Sequence, residues 1–165
     1  MANEVHLRPP EREDIGNIGR LLDLAFAPSS FESTLVRGLI ADAPALHHWV
    51  LEQDGELLAY VCYSLAYRGE QPVGWHLAPV AVHPDWQKRG HGSSLIRQTL
   101  AQPPLSDSPV FVLGTPGYYA RFGFRQVREP RCPYDPENVH FMALRYSCDE
   151  RFVIGYEKAF GGGEM

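Results

Sequence analysis

Residues 80–96 constrain this chain more than any other stretch. They run Val80-Ala81-Val82, His83-Pro84-Asp85-Trp86, Gln87-Lys88-Arg89-Gly90-His91-Gly92 and Ser93-Ser94-Leu95-Ile96. An apolar run ends in a proline-broken turn, and a glycine-bearing loop opens directly into a helix. A helix start leaves backbone N–H groups without intrahelical partners, and the macrodipole favours negative charge there. Glycine at positions 90 and 92 keeps Cβ atoms away from those donors. The order strand, loop, helix therefore predicts a domain that holds a phosphorylated ligand at a helix N-terminus.

A dinucleotide fingerprint needs a third glycine at position 95, and that residue is Leu95. A Walker loop needs Gly-Lys followed by Ser or Thr, and no such tripeptide occurs. What remains is Gln/Arg-x-x-Gly-x-Gly/Ala, written here as Gln87 to Gly92 behind a strand ending in Val82-His83-Pro84. This motif resembles the coenzyme A loop of the GCN5-related N-acetyltransferase (GNAT) superfamily. A second stretch, Gly114 to Phe124, resembles the same family, whose members often place a tyrosine four residues before a Gly-Phe pair. Tyr119 stands so before Gly123-Phe124.

The rest of the chain bounds the reading. One compact domain is expected over residues 1–165, with 147–165 as a C-terminal extension. A net charge of −5 argues against a general nucleic-acid or anionic-membrane partner and leans weakly toward a cationic second substrate. No stretch approaches the ~20 apolar residues of a membrane span, and the N-terminus carries no apolar leader. Cys62, Cys132 and Cys148 are odd in number and suit neither a zinc site nor a disulfide framework, so a cytoplasmic chain without metal is expected. His47 and His48 are strand neighbours that face opposite ways and do not converge on a metal.

Periodicity predicts a short strand at Val5–Leu7, a helix over about Glu11–Ala27 and a second helix carrying Leu35, Val36, Leu39 and Ile40. Strands follow at Leu46–Glu52 and Leu57–Ala66, joined by a hairpin turn at Asp54-Gly55. A loop Arg68–Pro72 then precedes a strand Trp75–Val82. Beyond the helix from Gly90, strands are expected at Val110–Leu113, Phe124–Val127 and Val139–Tyr146, with a short helix at Tyr118–Phe122. This order predicts an α/β domain, a mixed sheet with helices on both faces. It is also the order of the GNAT fold, which implies about seven strands splayed at the central parallel pair.

The resemblance assigns roles. Pro79 marks a bulge in the strand before the loop, and Val80, Ala81 and Val82 would line the pantetheine arm of acetyl-CoA. Gln87, Lys88, Arg89, Gly90, His91 and Gly92 would wrap the pyrophosphate, chiefly through main-chain N–H groups, with Ser93 adding a hydroxyl. Many members have Asn at the end of the following strand; Gly114-Thr115 stands there instead, and Thr115 can replace part of that contact. Tyr119 is the expected general acid for the departing thiolate, since a phenol with a reference pKa of about 10 is protonated at neutral pH. The base is left open: His76 is the only titratable side chain on its strand and is either a base or a satisfied core histidine, with His83 and Glu32 as further candidates.

The function implied is an acetyl-CoA-dependent N-acetyltransferase acting on a primary amine of a small molecule or peptide, by direct attack in a ternary complex. Ala27–Glu32, Arg68–Pro72 and Arg128–Pro136 are the expected walls of the acceptor pocket. The alternative is a non-catalytic acyl-CoA-binding module of the same fold, and the resemblance leaves room for a homodimer.

Overall fold

A computed structural model describes residues 4–161. Residues 1–3, on which part of the reading of the N-terminus rests, and residues 162–165 of the glycine-rich tail lie outside them. Seven strands, β1 (His6–Arg8), β2 (Leu46–Gln53), β3 (Glu56–Arg68), β4 (Gln71–Val82), β5 (Val110–Leu113), β6 (Arg125–Gln126) and β7 (Phe141–Leu144), form one sheet in the order β1-β2-β3-β4-β5-β7-β6. Every neighbouring pair is antiparallel except β4 and β5, which run parallel. This is the mixed seven-stranded α/β sheet that the element order implied.

Period-two alternation on β3 sends successive side chains to opposite faces. Tyr60 and Cys62 pack with Ile18, Leu21 and Leu22 of α1 (Ile15–Ala25) and Leu35, Val36 and Leu39 of α2 (Phe31–Asp42). Val61 and Tyr63 pack instead with Leu95, Ile96 and Leu100 of α3 (His91–Leu100). Fully buried leucine and isoleucine side chains each stabilise the fold by roughly 1.5–3 kcal/mol. Those two stripes explain why the helices divide between the faces.

Two hairpins set the register. Asp54 and Gly55 have φ of 54° and 81°, the mirror-image turn that matches strand twist. The expected loop Arg68–Pro72 is instead a second tight hairpin, in which Arg68 pairs with Gln71 and Tyr67 with Pro72. Pro72 lies at the start of β4, where a strand tolerates a missing N–H, so the strand begins earlier than the proline suggests.

The middle of β4 is irregular. Tyr63 opposes Leu77 and Val61 opposes Val80, so Ala78 and Pro79 together face the single residue Cys62. That is the bulge expected at Pro79. The parallel pairing with β5 is confined to Trp75 with Val110 and His76 with Phe111. Beyond it, β4 continues to Val82 while β5 continues to Leu113 against β7, and a cleft opens between them.

After β7, the chain folds back across the sheet end. Tyr67 and Gly155 exchange two backbone hydrogen bonds, of 3.1 and 2.7 Å, and Phe160 of α5 (Lys158–Gly161) packs into the α1–α2 side of the core. No helix among the described residues is long and apolar enough to cross a membrane.

Candidate active site

The open edge of β4 leads into the loop. The N–H of Trp75 reaches toward β5, bonding the Pro109 carbonyl at 3.0 Å, whereas the N–H of His83 bonds Leu58 of β3 at 2.8 Å. Alternation from His83 turns the main chain of Ala81 toward β3 and that of Val82 and Val80 toward the cleft. Two of the three residues expected along the pantetheine arm thus present free backbone edges. Ala81 does not: its main chain belongs to the β3 ladder and its side chain is buried with the α1–α2 cluster. The Gln87 side chain donates to the Val82 carbonyl at 3.0 Å, which ties the loop to the strand end and leaves Gln87 its main chain for a ligand.

Lys88 and Gly90 have φ of 65° and 84°, and Gly90 is the N-cap of α3. A side chain at 90 would be strained by backbone conformation, since a Cβ there meets no neighbour. The first helical bond runs from Ser94 N–H to the Gly90 carbonyl at 3.0 Å, so the N–H groups of His91, Gly92 and Ser93 have no helical partner. Lys88 and Arg89 are exposed beside them, with the Arg89 guanidinium 5.0 Å over the Trp86 ring. Gly92 has a second reason to be glycine, because a Cβ there would lie 3.3 Å from Val82 Cγ2 and 3.6 Å from Tyr118 Oη. Ser93 Oγ shares a 3.0 Å hydrogen bond with Tyr118 Oη, joining α3 to α4 (Pro116–Tyr119). The His91 ring meets Trp86 edge-on at 6.1 Å between centroids.

A cavity of about 470 Å³ occupies the splay and passes from one face of the sheet to the other. On the α3 side it is lined by Leu77, Val80, Val112 and Tyr119. On the other side it is lined by Phe31, Glu32 and Leu35 of α2, together with Phe26, Tyr156 and Phe160. Tyr119 is largely buried, and its hydroxyl bonds no described residue. Burial, aided by Tyr118, pushes its pKa up to about 12. The phenol is therefore protonated across the physiological range, on a residue that lines the cavity. Its ring stands where a Cβ at Gly114 would have to go, so any side chain at 114 would have to displace Tyr119. Thr115 caps α4, accepting from the N–H groups of Tyr118 and Tyr119 at 3.1 Å, and its exposed side chain stands at the end of β5.

His76 also lines the cavity but is more deeply placed than a partly buried base. Its Nε2 lies 3.0 Å from the Gly155 carbonyl, so Nε2 carries the proton and only Nδ1 has a lone pair. Its ring stacks on Tyr156 at 3.7 Å between centroids and 4° between planes. Burial lowers its pKa from 6.5 to about 4, outweighing the Gly155 contact, which keeps the ring neutral at physiological pH. His83 lies in the turn before the loop and accepts from the Asp85 N–H at 3.1 Å; it is not among the cavity's lining residues. His47 packs on Trp49 and Trp75 while His48 bonds Tyr60 at 2.9 Å, so the two rings face opposite sides of the sheet.

Of the three expected acceptor walls, Ala27–Glu32 supplies Phe31 and Glu32, and Arg128–Pro136 supplies Tyr134. Arg68–Pro72 supplies none, being the second hairpin. Arg128, Arg131 and Pro136 line a separate cleft of about 240 Å³. The aromatic residues Tyr156 and Phe160 and the strand residue Phe111 were not foreseen as lining; the density of aromatics late in the chain was the available signal.

A family model of the acetyltransferase (GNAT) domain matches residues 44–126, the span from β2 through the Gln87–Gly92 loop to β6. The chain belongs to the GNAT acetyltransferase family. It is 34% identical over 121 residues to the uncharacterized N-acetyltransferase YjhQ of Escherichia coli K12, a match covering 69% of the chain and 66% of that relative. Among solved structures, a GNAT acetyltransferase from Brucella melitensis in complex with acetyl-CoA is 31% identical, with a TM-score of 0.78 over 95% of this chain and 98% of that one. The GNAT N-acetyltransferase YhbS of Escherichia coli, in complex with CoA, is 25% identical, with a TM-score of 0.86 over 98% of this chain and 94% of that one. Acetyl-CoA and CoA are thus bound by GNAT proteins of closely similar fold.

Proposed function

We propose that this chain transfers an acetyl group from acetyl-CoA to a primary amine by direct attack in a ternary complex. The observation that carries the reading is the continuity of three features: unpartnered amides at the start of α3, the open backbone edge of Val80 and Val82, and a cavity holding a protonated phenol. The amides suit the pyrophosphate, the strand edge suits the amide-bearing pantetheine arm, and the thioester then falls beside Tyr119.

The amine nitrogen attacks the thioester carbonyl carbon, the C–S bond breaks, and the sulfur leaves as a thiolate. A backbone N–H near Val80 is the candidate donor to the oxyanion that forms on the way. Burial raises the Tyr119 phenol to about 12, so it is protonated at neutral pH and can donate to the negative charge that develops on the leaving sulfur, stabilising or protonating the thiolate. For the amine's proton, Nδ1 of His76 is a weak acceptor at a pKa near 4, and a chain of water carrying the proton from the cleft mouth to bulk solvent is the alternative route.

The test is release of free thiol from acetyl-CoA with a broad amine panel, with the acetylated product identified by mass spectrometry. Amine-dependent thiol release is expected. Tight coenzyme A binding with no thiol released from any amine contradicts the reading and leaves a non-catalytic acyl-CoA-binding module.

A further inference from the structure

We infer that the acceptor is a monoamine carried on an aromatic or branched apolar group, seated with its ammonium at Glu32 and its apolar part among the rings behind the splay. The inference rests on the acetyl-transfer reading and names the substrate class of that same cavity.

The face of the cavity away from α3 is built almost wholly of carbon. Phe26, Phe31, Tyr134, Tyr156 and Phe160 surround it, and Glu32 is the one lining residue with a charged side chain. His76 adds no charge, because burial keeps its ring neutral. Tyr156 is held by its stack on His76 and by a 3.3 Å contact between its hydroxyl and Cys132 Sγ. Its polar end is thus engaged by Cys132, and its ring, packed with His76, Tyr134 and Phe160, is part of the cavity wall. A wall of this kind binds an aromatic or branched group by burial and ring contact.

Glu32 sits in the first turn of α2, where the helix dipole favours an anion. The Ser29 hydroxyl donates to its Oε1 at 2.9 Å, which fixes the carboxylate and leaves Oε2 for an incoming donor. One carboxylate matches one ammonium, which gives up a proton to solvent before its nitrogen attacks the thioester. A polyamine or an aminoglycoside would bring further cations into an apolar wall without partners, which is strongly unfavourable. A free amino acid would set its own carboxylate beside Glu32 with no cationic side chain in the lining to receive it. Arylalkylamines, and amides or peptides with an aromatic N-terminal residue, satisfy both demands.

The experiment compares kcat/KM of the full chain for phenethylamine, phenylalaninamide, ethylamine, phenylalanine, spermidine and kanamycin at saturating acetyl-CoA, by thiol release. Phenethylamine and phenylalaninamide are expected to exceed ethylamine by roughly 10- to 100-fold, the effect of burying one ring. Phenylalanine, spermidine and kanamycin should fall below ethylamine. Glu32→Gln should raise KM for phenethylamine about 10-fold with a small change in kcat, and should leave the acetyl-CoA-induced rise in Tm as in the wild type. Phe31→Ala, at the exposed lip, should narrow the phenethylamine-to-ethylamine ratio. Spermidine, kanamycin or phenylalanine as the best acceptor overturns the inference while the transfer reading stands. So does a Glu32→Gln variant with wild-type KM, whereas a protein that binds acetyl-CoA but turns over no member of this panel overturns the inference and leaves the transfer reading to the broad amine panel. Failure to bind acetyl-CoA at all removes the reading beneath it.

Discussion

At the scale of single residues, the proposed chemistry turns on the pair Gly114 and Tyr119, whose ring fills the space a Cβ at 114 would need. The Tyr119 hydroxyl has no partner among the described residues, so Tyr119→Phe orphans no protein group and should leave stability within about 0.5 kcal/mol and coenzyme A affinity unchanged. Turnover should fall roughly 10²–10³-fold, as when one donor to a developing anion is lost. Steady-state kinetics beside titration of coenzyme A separates the two effects, and wild-type turnover would remove the phenol from the mechanism. Gly114→Ala attacks the same point from the backbone side. Its methyl group overlaps the Tyr119 ring and must displace it, so the variant should lose roughly 1–3 kcal/mol of stability and much of its turnover together. Thermal unfolding and kcat measured on one preparation check the coupling. The place of Tyr119 on a short helix before Gly123-Phe124 was legible in the sequence. The reason for Gly114 was not, because it depends on a ring that arrives five residues later.

The elements that matter are the bulged strand β4 and the helix start that follows it. Gly92→Asp places a carboxylate among the free amides of α3, where it competes with a pyrophosphate by both charge and occupancy. Coenzyme A affinity should drop by at least about 10-fold. Because the added Cβ stands 3.3 Å from Val82 Cγ2, a shift of a few tenths of an ångström accommodates it, and the fold should persist. Titration of coenzyme A alongside circular dichroism distinguishes lost binding from lost structure. This region was readable in the sequence because proline, glycine and helix onset are local signals, as was the Asp54-Gly55 hairpin. The hairpin at residues 68–71 was hidden by Pro72, whose usual meaning as a strand breaker does not hold at a strand's first residues. The orientation of Ala81 was hidden too, since the phase of main-chain hydrogen bonding after a bulge depends on the partner strand.

For the whole molecule, the cavity is closed by parts far apart in sequence, α2 and the tail beyond β7, and no periodicity in residues 147–161 announced where that tail would dock. Its docking buries His76, which predicts a pH dependence of stability. Burial holds His76 and His48 near pKa 4, against 6.5 for an exposed ring. Above pH 6.5 both states carry neutral rings; between about 6.5 and 4 the unfolded chain takes up protons that the folded chain refuses, so stability falls as the pH drops through that window. The loss is of order 3 kcal/mol for each ring by pH 4. Urea midpoints from pH 7 to 4 measure it, and His48→Gln should flatten the curve without touching the cavity.

The account as a whole depends on acetyl-CoA entering the splay between β4 and β5 with its pyrophosphate on the start of α3. Calorimetric titration of coenzyme A into the wild-type chain and into Gly92→Asp tests this most directly. One molecule bound per chain, an accompanying rise in Tm, and marked loss of both in the variant are the predicted results. No binding at millimolar coenzyme A in a folded sample, or equal affinity in the two proteins, would contradict it.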